Sequence, residues 1–566
     1  MLDVIGRSQR GRICEYRKND LTIRTPAVIR SSEEPLDDPI YIRSNGSSRI
    51  LNVMGSEVQL DPQLLTPVSS RIAVEPVTKD GICILRLPTA EVISVPDDAE
   101  IIVVPNGFEL RKDPRKLVDS VIRIREAIGY GRVFCMLGIA EPSTIAILSY
   151  MGVDLFDDSL AKAAGINGLS LIPEGEISVG KDVSQENVEE LFREVKKIDT
   201  FTTAGRLREL VDQRAPSSPS SVAILRLFDN VGYAYQEEAC STVGGRFTCN
   251  TTQALKRPDL KRYRETVKER YIKPPHKRIL VLLPCSAKKP YHISKTHKAF
   301  SSAIHTAQHD TLVHEVIVTS PLGAVPRELD VFYPASSYDI PVTGEWKCEE
   351  RAMIREMIGG IIAQGYDKII CHLGEDIELV EGLAEMEETV VGDPTSPASL
   401  QNLDSALRRA AKGMQTVDYG VDRTGLVRSM VAFQFGTEAA DILMDANTYA
   451  IGKFPYWKII RENPENRKEK IQLGMLTAER GMVSLTIEGA EVLAGKYNTV
   501  EMTDFEMKGN LFAVGVVSAD PKIRIGDEAI VTLNGKVKGV GVAAMSGKEM
   551  LDLKRGIAVK IRHKPK

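Results

Sequence analysis

Between residues 278 and 386 the sequence alternates strand and helix, and this alternation constrains the fold more than any other feature. "RILVLLP" reads as a strand buried on both faces and "SKTHKAFSSAIHTAQ" as a helix. "HEVIVTS" is a second strand, "CEERAMIREMIGGIIAQ" a helix, "YDKIICH" a third strand and "EDIELVEGLAEM" a helix. Strands and helices alternating at this spacing build βαβ units, and so a parallel sheet with helices on both faces. A run of purely apolar residues ends at Pro284, and a stretch crowded with reactive groups follows at once, "PCSAKKPYHISKTHKAF". In an open parallel sheet, ligands bind beyond the carboxyl ends of the strands.

The rest of the chain divides around this core. The 566 residues predict several domains. The region up to about residue 200 mixes strand-like runs ("ILNVMG", "ICILRLP", "AEIIVVP") with the helical "PRKLVDSVIRIREAI", an α/β pattern. Residues 201–273 form a basic, helical connecting region containing the polar stretch "DQRAPSSPSS" at 212–221, read as a linker or surface loop. The core occupies 274–395 and ends at the break "GDPTSPAS". A small mixed α+β piece covers 396–484. Short strands with glycine turns from 485 to 566 predict a small barrel.

Charge and cysteine usage narrow the function classes. The net charge of −4 hides a basic stretch, with 14 Lys and Arg against 3 Asp and Glu between Thr251 and Lys298. Clustered positive charge is the footprint of a phosphate-binding surface, and a solvated helix face is the competing reading. The eight scattered cysteines fit reduced thiols in a cytoplasmic protein. Cys240 and Cys249 lack nearby partners for a zinc site, so no metal is expected. No P-loop and no GxGxxG motif supports an ATP or NAD cofactor. No apolar run approaches the ~20 residues of a membrane span.

The candidate site residues come from the strand ends. Cys285 and Lys289 follow the first strand, Ser320 and Glu328 the second, and His372 the third; Asp339 lies in the loop beyond Glu328. His297, Phe300 and Ile304 share one helix face, with Ser294 as N-cap, so His297 is expected to point inward toward Cys285. A histidine there would tune a nucleophilic thiolate. Two readings stay open for Lys289, a phosphate contact or a solvated side chain. Two also stay open for His297, a site residue or a hydrogen-bonding group of the first helical turn. Glu328, Asp339 and His372 have equally good structural readings, as loop bridges or core polar groups.

The spacing Pro284-Cys285, Lys289-Pro290-Tyr291, Ser294, His297 resembles the signature of the archaeosine synthases, an archaeal tRNA-modifying family related to tRNA-guanine transglycosylases. "SPLGAVPRELDVFYPASSYDIPVTGEW" is similar to the core domain of that family. "CMLGIAEPSTIAILSYMGVDLFDDSLA" is similar to the transglycosylase segment carrying its nucleophilic aspartate, which puts Asp157 in that place. The pattern that follows it in transglycosylases is replaced here by "DSLAKA", and the zinc cysteines are absent around "EEACSTVGGRFTCN", so Asp157 is read as a relic in a degenerate transglycosylase-like region. The C-terminal stretch "IRIGDEAIVTLNGKVKGVGVAAMSGKEMLDLKRGIAVKIRH" resembles a PUA domain, an RNA-binding barrel, and marks Gly526, Arg555 and Arg562 as RNA contacts.

The resemblance implies an enzyme acting on tRNA that carries 7-cyano-7-deazaguanine at position 15. The reaction adds an amine to the nitrile, giving an amidine on the way to archaeosine. Free L-lysine is the expected donor, glutamine or ammonia the alternative, and a radical-SAM partner protein cleaves the lysine adduct. Cys285, His297 and Lys289 are then catalytic, with Pro284, Tyr291, Ser294, Ser320, Glu328, Asp339 and His372 around the substrate. A homodimer is compatible with the sequence. A base-exchanging transglycosylase and a non-catalytic tRNA-binding subunit are the rival readings.

Overall fold

A computed structural model describes residues 1–45, 48–60, 76–87, 93–466 and 468–565. The chain forms two units, one of residues 1–240, 510–524 and 544–558, the other of 241–509, 525–543 and 559–566. Both are mixed α/β, and the C-terminal residues carry the PUA strands.

In the first unit, parallel strands run in the order Ala27–Ser32, Leu155–Asp157, Val133–Met136, Ile101–Val104, Ile82–Ile84. Their apolar side chains are buried on both faces, which the continuous runs "IIVV" and "VFCM" require. Helix Pro114–Ile128 covers one face through Leu117, Val118, Val121 and Ile124. Asp113 caps it, accepting from the Arg115 and Lys116 amides at 3.1 Å. The stretch 212–221, expected as a linker, is instead part of a helical pair. Helix Leu207–Arg214 runs into a 3₁₀ turn, and Ser218 caps helix Pro219–Val231. The serines and prolines that look like a loop are a cap and N1 residues, and Asp212 is buried against Arg208, which also pairs with Asp229 at 2.7 Å.

In the second unit, the central strand Ile279–Pro284 lies between parallel neighbours Val313–Thr319 and Lys368–Cys371. Glu387–Glu388 extends the parallel set, and Gly323–Pro326 adds one antiparallel edge. Helix Lys295–Thr306 packs on one face through Phe300 and Ile304, together with Leu403, Ala406 and Leu407 of helix Pro397–Ala410. Helix Cys348–Ile362 covers the other face through Ile354, Met357, Ile358 and Ile361. The expected helix "EDIELVEGLAEM" does not form. Residues Gly374–Leu379 make a 3₁₀ turn, bracketed by left-handed Gly374 and Gly382 and pinned where the Trp346 indole donates to Asp376 at 2.8 Å.

Beyond the core, helix Tyr419–Phe435 precedes a four-stranded antiparallel meander, Thr448–Lys453, Tyr456–Glu462, Lys470–Thr477 and Met482–Leu485. The strand 482–485 closes this meander, at the boundary where the barrel is expected to begin. "IEGAEVL" is a helix, Ile487–Leu493. Within the PUA strands, Glu528 is fully buried. It pairs with Arg480 at 2.7 Å and with Arg562, and it accepts from the Leu485 amide at 2.8 Å. Arg562 also donates to the Leu485 carbonyl at 2.8 Å. The guanidinium expected to meet RNA is committed to this internal network.

A second polar group lies under the core sheet. The Tyr366 hydroxyl donates to His314 Nδ1 at 2.5 Å, His314 Nε2 donates to the Tyr271 hydroxyl at 2.8 Å, and that hydroxyl donates to Glu328 Oε1 at 2.6 Å. Every donor points toward the carboxylate. Burial nevertheless dominates and raises the Glu328 pKa from 4.5 to about 7, because Oε2 has no partner and the charged form is costly there. Burial likewise lowers His314 to about 3, aided by Lys277 and Lys273.

Two measurements test these networks. Arg562→Ala leaves Glu528 short of a partner and is expected to cost about 2–3 kcal/mol of stability, read as a lower denaturation midpoint with a far-UV spectrum unchanged below it. Glu328 binds its proton more tightly folded than unfolded. Its stabilising contribution is therefore complete below pH 4.5 and lost as pH rises through about 7. Glu328→Gln should be more stable than the parent at pH 8 by roughly 3 kcal/mol and no more stable at pH 4. Equal urea midpoints at pH 8 would contradict the buried-carboxyl assignment.

Candidate active site

The strand Ile279–Pro284 delivers Cys285 to the carboxyl edge of the sheet, beside Thr319 at the end of the neighbouring strand. Cys285 is partly exposed as a residue, unlike Cys14, Cys83, Cys135, Cys240, Cys249 and Cys371, which are buried. Burial of its surroundings pushes the Cys285 thiol up; the Lys289 charge and a hydrogen bond from Thr319 pull it down. Burial lowers the Lys289 amine, and Cys285 and Asp339 oppose that shift. The two shifts run in opposite directions, the thiol up and the amine down, and each group opposes the shift of the other.

Aromatic rings build the walls. The Lys289 Nζ lies 4.0 Å from the centre of the Tyr338 ring and 5.9 Å from that of Tyr291, a cation–π arrangement that partly replaces lost water. Both tyrosines are fully buried. Their hydroxyls touch each other, and the Thr319 hydroxyl lies 2.6 Å from that of Tyr338 and 3.3 Å from that of Tyr291. Tyr338 comes from a two-residue strand, Tyr338–Asp339, paired in parallel with Phe247–Thr248. That pairing sets Arg246 at the rim, where it binds Asp339 at 2.8 Å and lowers the Lys289 amine further.

The loop that carries Lys289 is fixed from below. Asp330 accepts the His292 amide at 2.7 Å and its ring Nδ1–H at 3.0 Å. Ser294 caps helix Lys295–Thr306, accepting the His297 amide at 3.1 Å. His297, Phe300 and Ile304 all face inward. The expectation that His297 carries protons for the thiol meets a different geometry. Its Nδ1 accepts from Arg327 at 2.8 Å, so the ring proton sits on Nε2. Burial, reinforced by the Arg327 charge, lowers its pKa to about 2. Arg327 is held in turn by Glu315 at 2.7 Å and by Asp330 at 3.6 Å. His297 is thus neutral and locked into the wall of the site, against Tyr291 and Phe300.

The other expected residues are distributed as follows. Cys285, Lys289, Tyr291 and Asp339 come together, with Pro284 ending the strand beneath them. Ser320 donates to Glu350 at 2.6 Å and ties its loop to the start of helix Cys348–Ile362. Glu328 belongs to the buried chain under the sheet. His372 donates from Nε2 to the Pro394 carbonyl at 2.8 Å and accepts from Thr389 at 2.7 Å, so both its nitrogens hold the 389–394 loop. Gly526 adopts φ 96°, and a Cβ there would lie 2.6 Å from the Val243 side chain, so no other residue fits easily. Arg555 is exposed. In the first unit Asp157 is buried, accepting from the Gly138 amide at 2.5 Å and from Ser159 and pairing with Arg49 at 3.4 Å.

Thr319, Tyr338, Arg246, Arg327 and Asp330 were not singled out from the sequence. Thr319 stood in plain view, one residue before Ser320 on the same strand end. The others depend on a two-residue strand and on loop contacts that leave no periodic trace. Among the described residues no group of three or more His, Cys, Asp or Glu is arranged to hold a metal ion, and no helix is long and apolar enough to cross a membrane.

Residues 260–407 match the model of a domain of unknown function (DUF5591), and residues 500–565 match that of the PUA domain. The chain is 33% identical to the archaeosine synthase subunit alpha of Thermoplasma acidophilum, covering 82% of this chain and 88% of that protein. It is 29% identical to the archaeosine synthase of Haloferax volcanii, over 99% and 98% of the two chains. A tRNA-guanine(15) transglycosylase of Methanobrevibacter smithii is 23% identical over 79% of this chain and 69% of its own. With the identity to the Thermoplasma protein running through the thiol-bearing core and across most of both chains, this protein belongs to the archaeosine synthase family.

Proposed function

We propose that the protein acts in archaeosine biosynthesis on tRNA, adding the amine of free L-lysine across the nitrile of a 7-cyano-7-deazaguanine base at position 15 to give an amidine. Family membership supports the pathway. The observation that carries the chemistry is that Cys285 and Lys289 lie within electrostatic reach of each other at the carboxyl edge of the core sheet, both partly exposed.

The steps balance without an oxidant or a nucleotide. Lys289, as the neutral amine, takes the proton of the Cys285 thiol. The thiolate sulfur bonds to the nitrile carbon, one C–N π bond breaks, and the nitrogen takes a proton from the Lys289 ammonium, leaving a covalent thioimidate. The donor amine then attacks the same carbon, loses a proton to Lys289, and expels the thiolate as the C=N bond re-forms. The nitrile is a sluggish electrophile toward an amine that is mostly protonated near neutral pH, and dividing the reaction around a thioadduct lowers each barrier. Exposed Lys288, Lys295 and Lys298 and Arg246 ring the approach and suit the RNA backbone. A radical-SAM partner protein would then cleave the lysine adduct to archaeosine.

Cys285→Ala is expected to lower adduct formation at least about a hundredfold while leaving tRNA affinity within about twofold. The measurement is nucleoside mass spectrometry of nitrile-bearing tRNA after incubation with lysine, glutamine or ammonium in turn. Near-parental turnover by Cys285→Ala would sink the covalent route, and adduct formation with glutamine but not lysine would replace the donor.

A further inference from the structure

Beside Cys285 stand the Lys289 amine and the Thr319 hydroxyl, and two tyrosine hydroxyls lie behind that of Thr319 in an arrangement that has a direction. The Tyr291 and Tyr338 hydroxyls contact each other, and both lie within reach of the Thr319 oxygen. All three side chains are buried, so no bulk water competes for these protons. Thr319 Oγ1 has two lone pairs and one hydrogen. With the Tyr291 hydroxyl donating to Tyr338 and the Tyr338 hydroxyl donating to Thr319, the single Thr319 hydrogen chooses between the Ser320 carbonyl at 3.0 Å and the Cys285 sulfur. A neutral thiol competes poorly with a carbonyl, but a thiolate is a charged acceptor, and charge-assisted hydrogen bonds are about twice as strong. The same Tyr338 presents its ring face to the Lys289 ammonium at 4.0 Å.

We infer that Tyr338 is the positioning residue of this site: its ring holds the Lys289 ammonium beside Cys285, and its hydroxyl frees the Thr319 hydrogen to turn onto the thiolate. The two halves act on one event. When the thiol proton moves to the Lys289 amine, the ring stabilises the new ammonium and the hydroxyl chain stabilises the new thiolate. No atom of Tyr338 is consumed, and the proton count is that of the thiol–amine exchange alone. Ring and hydroxyl are separable by substitution, which makes the assignment testable. The inference rests on the reading of Cys285 as the nucleophile, but its readout is the thiol itself and needs no tRNA.

The experiment measures the rate of Cys285 alkylation by iodoacetamide against pH in the full-length protein. A Cys348→Ser background removes the other accessible thiol, since Cys348 is exposed and the remaining six are buried. Tyr338→Phe keeps the ring and loses the hydroxyl, and it is expected to slow alkylation at pH 7.5 about tenfold, the effect of one lost charge-assisted bond. Tyr338→Leu loses both and should slow it further, with the midpoint of the pH profile moved upward. Thr319→Val should match Tyr338→Phe, and Thr319→Ser should restore the parental profile. Should Tyr338→Leu fail to fold, judged by its melting curve, the phenylalanine and threonine variants carry the test. Unchanged midpoints in folded Tyr338→Phe and Thr319→Val would overturn the inference. Displaced midpoints together with normal adduct formation by Cys285→Ala would uphold it and remove the covalent route instead.

Discussion

The site depends on one buried cation. Arg327 is packed beneath the loop that follows Cys285 and reaches three elements at once: Glu315 on the second core strand, His297 in the first turn of the helix, and Asp330, which holds the His292 backbone. A guanidinium suits this task because its fixed fork meets several acceptors without rearranging. Charge taken out of water must be matched closely by its partners or it destabilises the fold, so the geometry of the clamp tolerates little change. With the loop held at His292 and Ser294, Tyr291 is driven into the core and Lys289 is left over the Tyr338 ring. Cys285 and Lys289 therefore sit on a frame fixed by Arg327 and its buried partners.

This frame explains how much of the protein was legible in the sequence. The parallel core was legible because three apolar runs and two amphipathic helices each carry their own period, and the first strand and Ser294 fall where the pattern puts them. Cys285 and Lys289 were legible because both follow one strand end. What the sequence conceals is long-range. Nothing near Glu328 announces Tyr271, fifty-seven residues away, as its partner, and nothing near His297 announces that Arg327 will take its free nitrogen. A histidine facing inward near a cysteine reads as a proton carrier until the third partner is known. The acidic run after Cys371 reads as a helix because its propensities favour one, yet Gly374, Gly382 and the Trp346–Asp376 bond override them.

The basic stretch teaches the same lesson about charge. Counted along the chain, residues 251–298 look like a phosphate-binding surface. In the fold, Arg257 is buried against Asp259, Lys277 pairs with Asp422, Lys268 with Glu356 and Arg278 with Asp367, while Arg264 donates to the Pro321 and Leu255 carbonyls. These cations hold the helix Pro258–Arg270 and the strand behind it in place. Close after Cys285 in the chain, Lys288, Lys295 and Lys298 remain exposed. A local count measures the supply of charge, and the fold decides how much of it reaches solvent.

Burial also sets the chemical character of the thiol. A nucleophile exposed beside arginines would be a thiolate at rest and would react with any oxidant or electrophile that diffused past. Around Cys285 burial instead raises the thiol, and burial lowers the Lys289 amine, so each shift disfavours the charged form of its group. At Cys285 burial favours the protonated thiol, and the Lys289 charge and the Thr319 hydroxyl act against that shift.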